Sequence, residues 1–312
     1  MAMVYDGWGR SSMLYTRQRY NLGKAVLYIG PSVVVLLLIA FLPMLYAIRT
    51  SFWSWHLHRA GTRAQVGLRN YLELFDDRHY LNSLSITFLF TLLSVGATMV
   101  LGFLLALLVQ KNFKGKNLAL ALLTLPMIMT PVVSALMWRF FLLEPSVGLI
   151  NWFLGLFGIR GPAWVASSPW AFISVVVVNV WFMTPFVMLI MEAALSSIPK
   201  EPLEAAILDG AGYWQRVRYI VIPMIRGTIL FTLIFRITID YRMFDIVYTM
   251  TGGGPAFDTQ VLSIWVYNVA LRTFEVGYAN AGATVMMLVI GSLCLGILLI
   301  AMRKTGGRLW SR

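Results

Sequence analysis

Five stretches of the chain, Ala25–Ile48, Ser83–Val109, Leu118–Trp138, Pro169–Met191 and Gly282–Met302, contain no Asp, Glu, Lys or Arg. At about 1.5 Å per helical residue each can cross about 30 Å of hydrocarbon. Lipid offers no partner to an open peptide group, so each stretch is expected to be a helix. A sixth stretch, Val221–Val247, is apolar enough to insert but carries Arg226, Arg236, Asp240, Arg242 and Asp245. The pattern predicts an all-α, polytopic membrane protein with six transmembrane helices. Residues 1–24 then form a cytoplasmic segment, 25–302 the membrane domain with a cytoplasmic loop at 196–219, and 303–312 a cytoplasmic tail.

Composition agrees: mean hydropathy is +0.76, with 59% apolar and 12% charged residues, well outside the soluble range. The formal charge of +12 does not point to nucleic acid, because Lys and Arg are scattered in short groups rather than gathered into a continuous patch. They set topology instead. Fourteen flank one side of the spans, from Arg10 through Lys111, Lys114, Lys116, Lys200, Arg216 and Arg218 to Arg312, and eight flank the other. By the positive-inside rule both termini are cytoplasmic. The first stretch has 24 charge-free residues and no A-x-A site after it, so it is expected to stay as an anchor rather than leave as a signal peptide.

The connections carry their own signals. Between Gly148 and Gly158 the order of Leu149, Ile150, Trp152, Phe153, Leu156 and Phe157 suits a helix lying in the outer interface, with Trp164 and Trp170 in an aromatic belt. His56, His58 and His79 share the first outer loop, but a lone His-x-His pair without Cys or paired carboxylates reads as solvated loop histidine, and no metal site is expected. Cys294 has no second cysteine to pair with and reads as a packing residue.

The inner loop between the fourth and fifth spans is more specific. Pro199 and Pro202 favour a helix start, Glu201 and Glu204 complement its positive end, and Gly210 or Gly212 can supply the left-handed residue that ends it. Ala205, Ala206 and Ala211 leave a shallow surface that another backbone could approach.

Glu204–Ala205–Ala206, Asp209–Gly210–Ala211 and Ile220–Val221–Ile222–Pro223 closely resemble the cytoplasmic signature of ABC importer membrane subunits, an E-A-A, D-G-A and I-x-[LIV]-P series, with Ile222 where Leu is usual. Gly67–Leu68–Arg69–Asn70–Tyr71, Leu125–Pro126, Trp138, Gly148–Leu149–Ile150–Asn151, Phe244–Asp245 and Thr251–Gly252–Gly253–Gly254–Pro255 extend the resemblance to the carbohydrate-uptake branch, similar to maltose and trehalose permeases. It implies the type I importer permease fold in a bacterial or archaeal cytoplasmic membrane. It also implies that the loop is a coupling helix, contacting an ATPase subunit through Glu204, Ala205, Ala206, Asp209, Gly210 and Ala211. No catalytic residue is expected. The partners implied are a second homologous permease, an ATPase dimer and an extracytoplasmic solute-binding protein, besides membrane lipid. The chain contains no G-x-x-x-x-G-K-[ST], so the ATPase is expected to be a separate polypeptide that uses ATP and Mg, with no cofactor expected on this chain.

Arg236 lies ten residues beyond Arg226, or about 15 Å along a helix, close to the middle of a core about 30 Å thick. Charge at that depth normally has a partner, and Asp240 one turn on can provide it. Two readings stand side by side: a self-neutralising structural pair, or direct contact with solute. The resemblance to maltose-type permeases places the solute pathway at Phe182, Met183 and Phe186 on the fourth span and at Arg236, Ile239, Asp240 and Met243 on the fifth. Those permeases present uncharged polar groups where Arg236 and Asp240 stand, which argues against maltose itself. Phe182, Phe186 and Tyr241 could stack on a sugar ring. The resemblance puts Gly252, Gly253, Gly254 and Pro255 near the docked binding protein, with a plain turn as the alternative. The rival function, a secondary transporter or channel, would show inverted repeats or half-helices, and no such repeat is visible.

Overall fold

The computed structural model describes residues 22–58, 63–111 and 113–304. The expectations placed on residues before 22, on the tail after 304 and on Arg59, one of the eight basic residues of the second flank, lie outside them. The chain divides into two units, Met1–Arg49 and Thr50–Arg312. In the first, α1 (Leu22–Leu36) runs through a π-helical turn at Leu37–Phe41 into α2 (Leu42–Thr50), so the first apolar stretch is one helical run.

The second unit opens with a two-residue hairpin, β1 (Trp53–Ser54) against β2 (Ala64–Gln65), and the short α3 (Arg69–Asp76). Asn70 pins α3 to the hairpin by donating from Nδ2 to the carbonyls of Ser51 and Trp53. The long α4 (Arg78–Gln110) starts at Asp77, whose carboxylate accepts from the amides of His79 and Tyr80 as an N-cap should. Then come α5 (Lys116–Ile128), α6 (Pro131–Met137), α7 (Leu149–Leu156), α8 (Trp170–Ser196), α9 (Glu201–Leu208), α10 (Tyr213–Arg216), α11 (Ile222–Met224), α12 (Arg226–Asp240), α13 (Asp245–Met250), α14 (Leu262–Leu271) and α15 (Val276–Lys304).

Two expected spans are not straight. The stretch predicted at Leu118–Trp138 bends by 102° between Ile128 and Pro131. Met129 and Thr130 are extended there, Thr130 because a residue before proline avoids the α region, and Thr130 Oγ1 caps the new helix by accepting from Val133 N. The stretch predicted at Val221–Val247 bends by 73° at Ile225, two residues after Pro223 removes a backbone donor, and its helix ends at Asp240 rather than Val247. Among the described residues four helices are long and apolar enough to cross a membrane, and six when each bent pair counts as one span.

The most extensive packing is α4 along α8, with α12 crossing both and α15 against α12 and α14. Gly102 lets α4 and α8 approach: a Cβ there would lie 2.6 Å from Val187 Cγ1, the small-residue device of membrane helix pairs. The helix α7 exposes Leu149, Trp152, Phe153 and Leu156, and Asn151 Oδ1 accepts from Trp164 Nε1 at 2.7 Å. The rings of Trp164 and Trp170 meet edge to face at 5.2 Å. Cys294 packs in an apolar cluster with its sulfur 3.6 Å from the Thr238 hydroxyl. His58 and His79 lie against Phe274 and Phe257, and no group of three potential ligands for a metal occurs among the described residues.

Candidate functional site

The polar centre of the bundle is built from three helices. On α12, Thr232, Arg236 and Asp240 recur every four residues and form one buried face, as the helical period requires. Arg236 Nη2 donates to Asp240 Oδ2 at 2.6 Å, with both side chains 0% exposed. Asn179 on α8 donates from Nδ2 to Asp240 Oδ1 at 3.2 Å and to Ser94 Oγ on α4 at 2.5 Å. Ser94 is the middle residue of the 33-residue α4, so the network lies half-way along the longest helix. Arg236 Nε and Nη1 and Asn179 Oδ1 are buried without a hydrogen bond. Desolvating such a pair costs several kcal/mol per ion, offset only by good geometry, and breaking it is worse than never having had it.

Asn179 and Ser94 escaped the reading of the sequence, though signals for both exist. Asn179 is the only Asn between Trp170 and Ser196. Ser94 belongs to a stripe on α4, Ser83, Thr87, Thr91, Ser94 and Thr98, every member buried and spaced by four, four, three and four, the period of one helix face. Thr87 and Thr98 return their hydroxyls to carbonyls one turn back, and Thr87 Oγ1 also accepts from Leu262 N of α14 at 2.8 Å.

The other pathway residues separate into distinct surroundings. Phe182 and Met243 are buried in one apolar cluster with Val175, Ile246 and Ile264, and Met183 and Ile239 lie half-buried against it. Tyr241 belongs to a different cluster with Tyr80 and Trp265. Its ring is buried and meets Phe88 edge to face at 5.6 Å, so it has no open face for a sugar. Phe186 is half-buried and stacks on Phe235 at 5.2 Å.

The loop between α8 and α12 forms the expected helix, α9. Its C-terminus closes with Gly210 N donating to Ile207 O and Ala211 N to Ala206 O, a Schellman pair around Gly210 at φ +82°. Gly212, the other candidate, has φ −65° and caps α10 instead, its amide donating to Gln215 Oε1. Leu203 turns inward against the core. Glu204, Ala205, Asp209 and Gly210 are exposed and Ala206 and Ala211 half-exposed, while Ile207 is 53% and Leu208 89% exposed.

The Gly252–Pro255 segment is a tightly tied loop. Gly252 and Gly253 have φ +64° and +97°. Thr259 donates to Gly254 O at 2.7 Å, and Asn82 to Phe257 O at 3.2 Å. Gly253 is buried, whereas Gly252 is exposed and Gly254 and Pro255 are half-exposed.

Known proteins share this arrangement of helices. Over 280 residues the chain is 32% identical to the trehalose/maltose transport system permease protein of Thermococcus litoralis, covering 88% of this chain and 92% of that one. It is 31% identical over 281 residues, 90% of each chain, to the sulfoquinovosyl glycerol transport system permease protein of Agrobacterium fabrum. A solved bacterial ABC transporter involved in import of the acidic polysaccharide alginate shares the fold, with a TM-score of 0.78 over 90% of this chain and 98% of its own at 22% identity. Broken helices, which a secondary transporter would show, therefore occur here inside an ABC permease fold. Residues 98–305 match the family model described as binding-protein-dependent transport system inner membrane component, and the chain belongs to that family as a membrane permease subunit.

Proposed function

We propose that this permease forms half of the translocation pathway for a sugar or sugar-like solute in an ATP-driven importer, with α9 docking on a separate ATPase. The solute class is supported by the trehalose/maltose and sulfoquinovosyl glycerol relatives. The observation that carries the coupling role is α9 itself. It is capped at its end and anchored by Leu203, yet it leaves Ile207 and Leu208 in solvent. A groove in a partner protein would cover those side chains and meet Glu204 beside the positive start of the helix. ATP and Mg are then used by the partner ATPase dimer.

A second permease completes the pathway by facing Met183, Phe186 and Ile239, which this chain covers only in part. An extracytoplasmic binding protein delivers solute near Gly252–Pro255. A solved alginate transporter of the same fold is in complex with an alginate-bound periplasmic protein. Both termini lie in the cytoplasm, in keeping with the excess of Lys and Arg on that side.

Affinity purification of the membrane complex tests this reading. It should bring down an ATPase and a second permease, and Glu204→Lys should release the ATPase or separate ATP hydrolysis from uptake. Normal uptake by an intact Glu204→Lys complex would refute the coupling role, and purification without an ATPase would favour the secondary transporter.

A further inference from the structure

We infer that the aromatic cluster of Phe244, Tyr248 and Tyr267 with Arg272 is an outer vestibule subsite for a pyranose ring, met by the solute before it reaches the buried polar centre. The subsite rests on the carbohydrate reading. Phe244 and Tyr248, one turn apart, stack nearly parallel at 4.9 Å and 14°. Tyr267 on α14 meets Phe244 at 5.3 Å and Tyr248 at 5.2 Å. Arg272 Nη2 donates to the Tyr248 hydroxyl at 3.4 Å, and its guanidinium lies 6.0 Å from the Tyr267 ring.

Other aromatic groups in the molecule have other work. Tyr80 and Trp265 pack in the core with 2% exposure each, and Phe153 with Phe157 lies on the largely apolar α7 and its end. The Phe244 cluster differs from both, because its three rings are half-exposed, Arg272 is exposed, and two hydroxyls and a guanidinium stand at its edge. A sugar ring offers the matching chemistry: a C–H face that lies on an aromatic surface and hydroxyls that pair with phenol and guanidinium groups.

Its position suits a first stop. Phe244 follows Asp240 by four residues, at the point where the chain has left α12. Ser263 Oγ donates to Met243 O, which ties the base of α13 to α14 and fixes Phe244 opposite Tyr267. The sugar-facing rings therefore stand directly beyond the Arg236–Asp240 centre along the chain, on the outer side of the fifth span.

The test uses the complete transporter in vesicles with its binding protein, and maltose, trehalose and sulfoquinovosyl glycerol as probes. If the wild-type complex moves none of them, the carbohydrate reading fails and the subsite with it. Given uptake of any one, the Tyr248→Leu/Tyr267→Leu double variant should lower the initial rate about tenfold, the scale of two lost ring contacts, while binding-protein-stimulated ATP hydrolysis is retained. Tyr248→Phe and Tyr267→Phe keep the rings and should fall only about twofold, which guards against misfolding of the Leu variant. Unchanged uptake in the double variant overturns the subsite. So does a parallel loss of stimulated hydrolysis, which would make the cluster a contact for the binding protein instead.

Discussion

Arg236 and Asp240 are completely covered by three helices, whereas Glu204, Ile207 and Leu208 stand in solvent on α9. Both regions carry charge within the same membrane protein, and their surroundings divide the labour. At the polar centre Asp240 holds Arg236 on its own helix and is itself met by Asn179 of α8, which also bonds Ser94 of α4, so the geometry of the carboxylate is inseparable from helix packing. On α9 the backbone satisfies itself through the Schellman closure at Gly210, and the side chains are left over for another protein. Changes at the first should register as lost stability, and changes at the second as lost transport in a well-folded subunit.

The sharpest way to break that contrast is to strand one member of the buried pair. Arg236→Met or Asp240→Asn should each cost about 3–5 kcal/mol, read as lower yield and lower melting temperature of the detergent-purified complex. The double variant should recover assembly, because like-sized uncharged groups can replace a buried pair at little cost. If uptake returns with assembly, the pair is structural only; if assembly returns alone, the pair also serves the solute.

A smaller loss, about 1–3 kcal/mol, is expected for Gly102→Leu, which forces a side chain into Val187 where α4 and α8 touch. Thermal unfolding of the complex measures it, and no change would mean that the two helices can separate freely. Ser94→Ala removes one acceptor of the Asn179 amide, which still donates to Asp240. The same measurement should find about 1 kcal/mol.

At the far end of the scale, Leu208→Ser should leave stability within about 0.5 kcal/mol, as for other exposed positions. It should nevertheless reduce ATPase retention on purification and lower uptake about fivefold or more, the range of ordinary coupling energies. A Leu208→Ser complex that melts early, or that keeps full uptake, would erase the distinction between the two regions.

Both regions are partly legible in the residues themselves. The absence of charge from five long stretches determines the membrane class, because a hydrocarbon environment penalises each charge individually and the penalty is read residue by residue. The start of α9 is equally legible, because its Pro and Glu residues act over one or two turns, whereas two glycines could end it and the structure uses Gly210. The pairing of Arg236 with Asp240 follows from four-residue spacing alone.

What tertiary structure decided was everything that depends on neighbours distant in sequence. Spacing could not show that Asn179 and Ser94 would complete the carboxylate's hydrogen-bond network, since they lie 61 and 146 residues from Asp240. Nor could it show that Tyr241 faces Tyr80 and Trp265 while its neighbour Met243 faces Phe182. The bends at Thr130 and Ile225 lie inside apolar runs that hydropathy reads as continuous, because hydropathy measures the cost of transfer and not the direction of the backbone. The sequence by itself determined which segments are apolar enough to enter a membrane and where a short helix starts between them; only packing of α4, α8 and α12 decided which side chains meet, because each helix face is chosen jointly by all the helices that cover it.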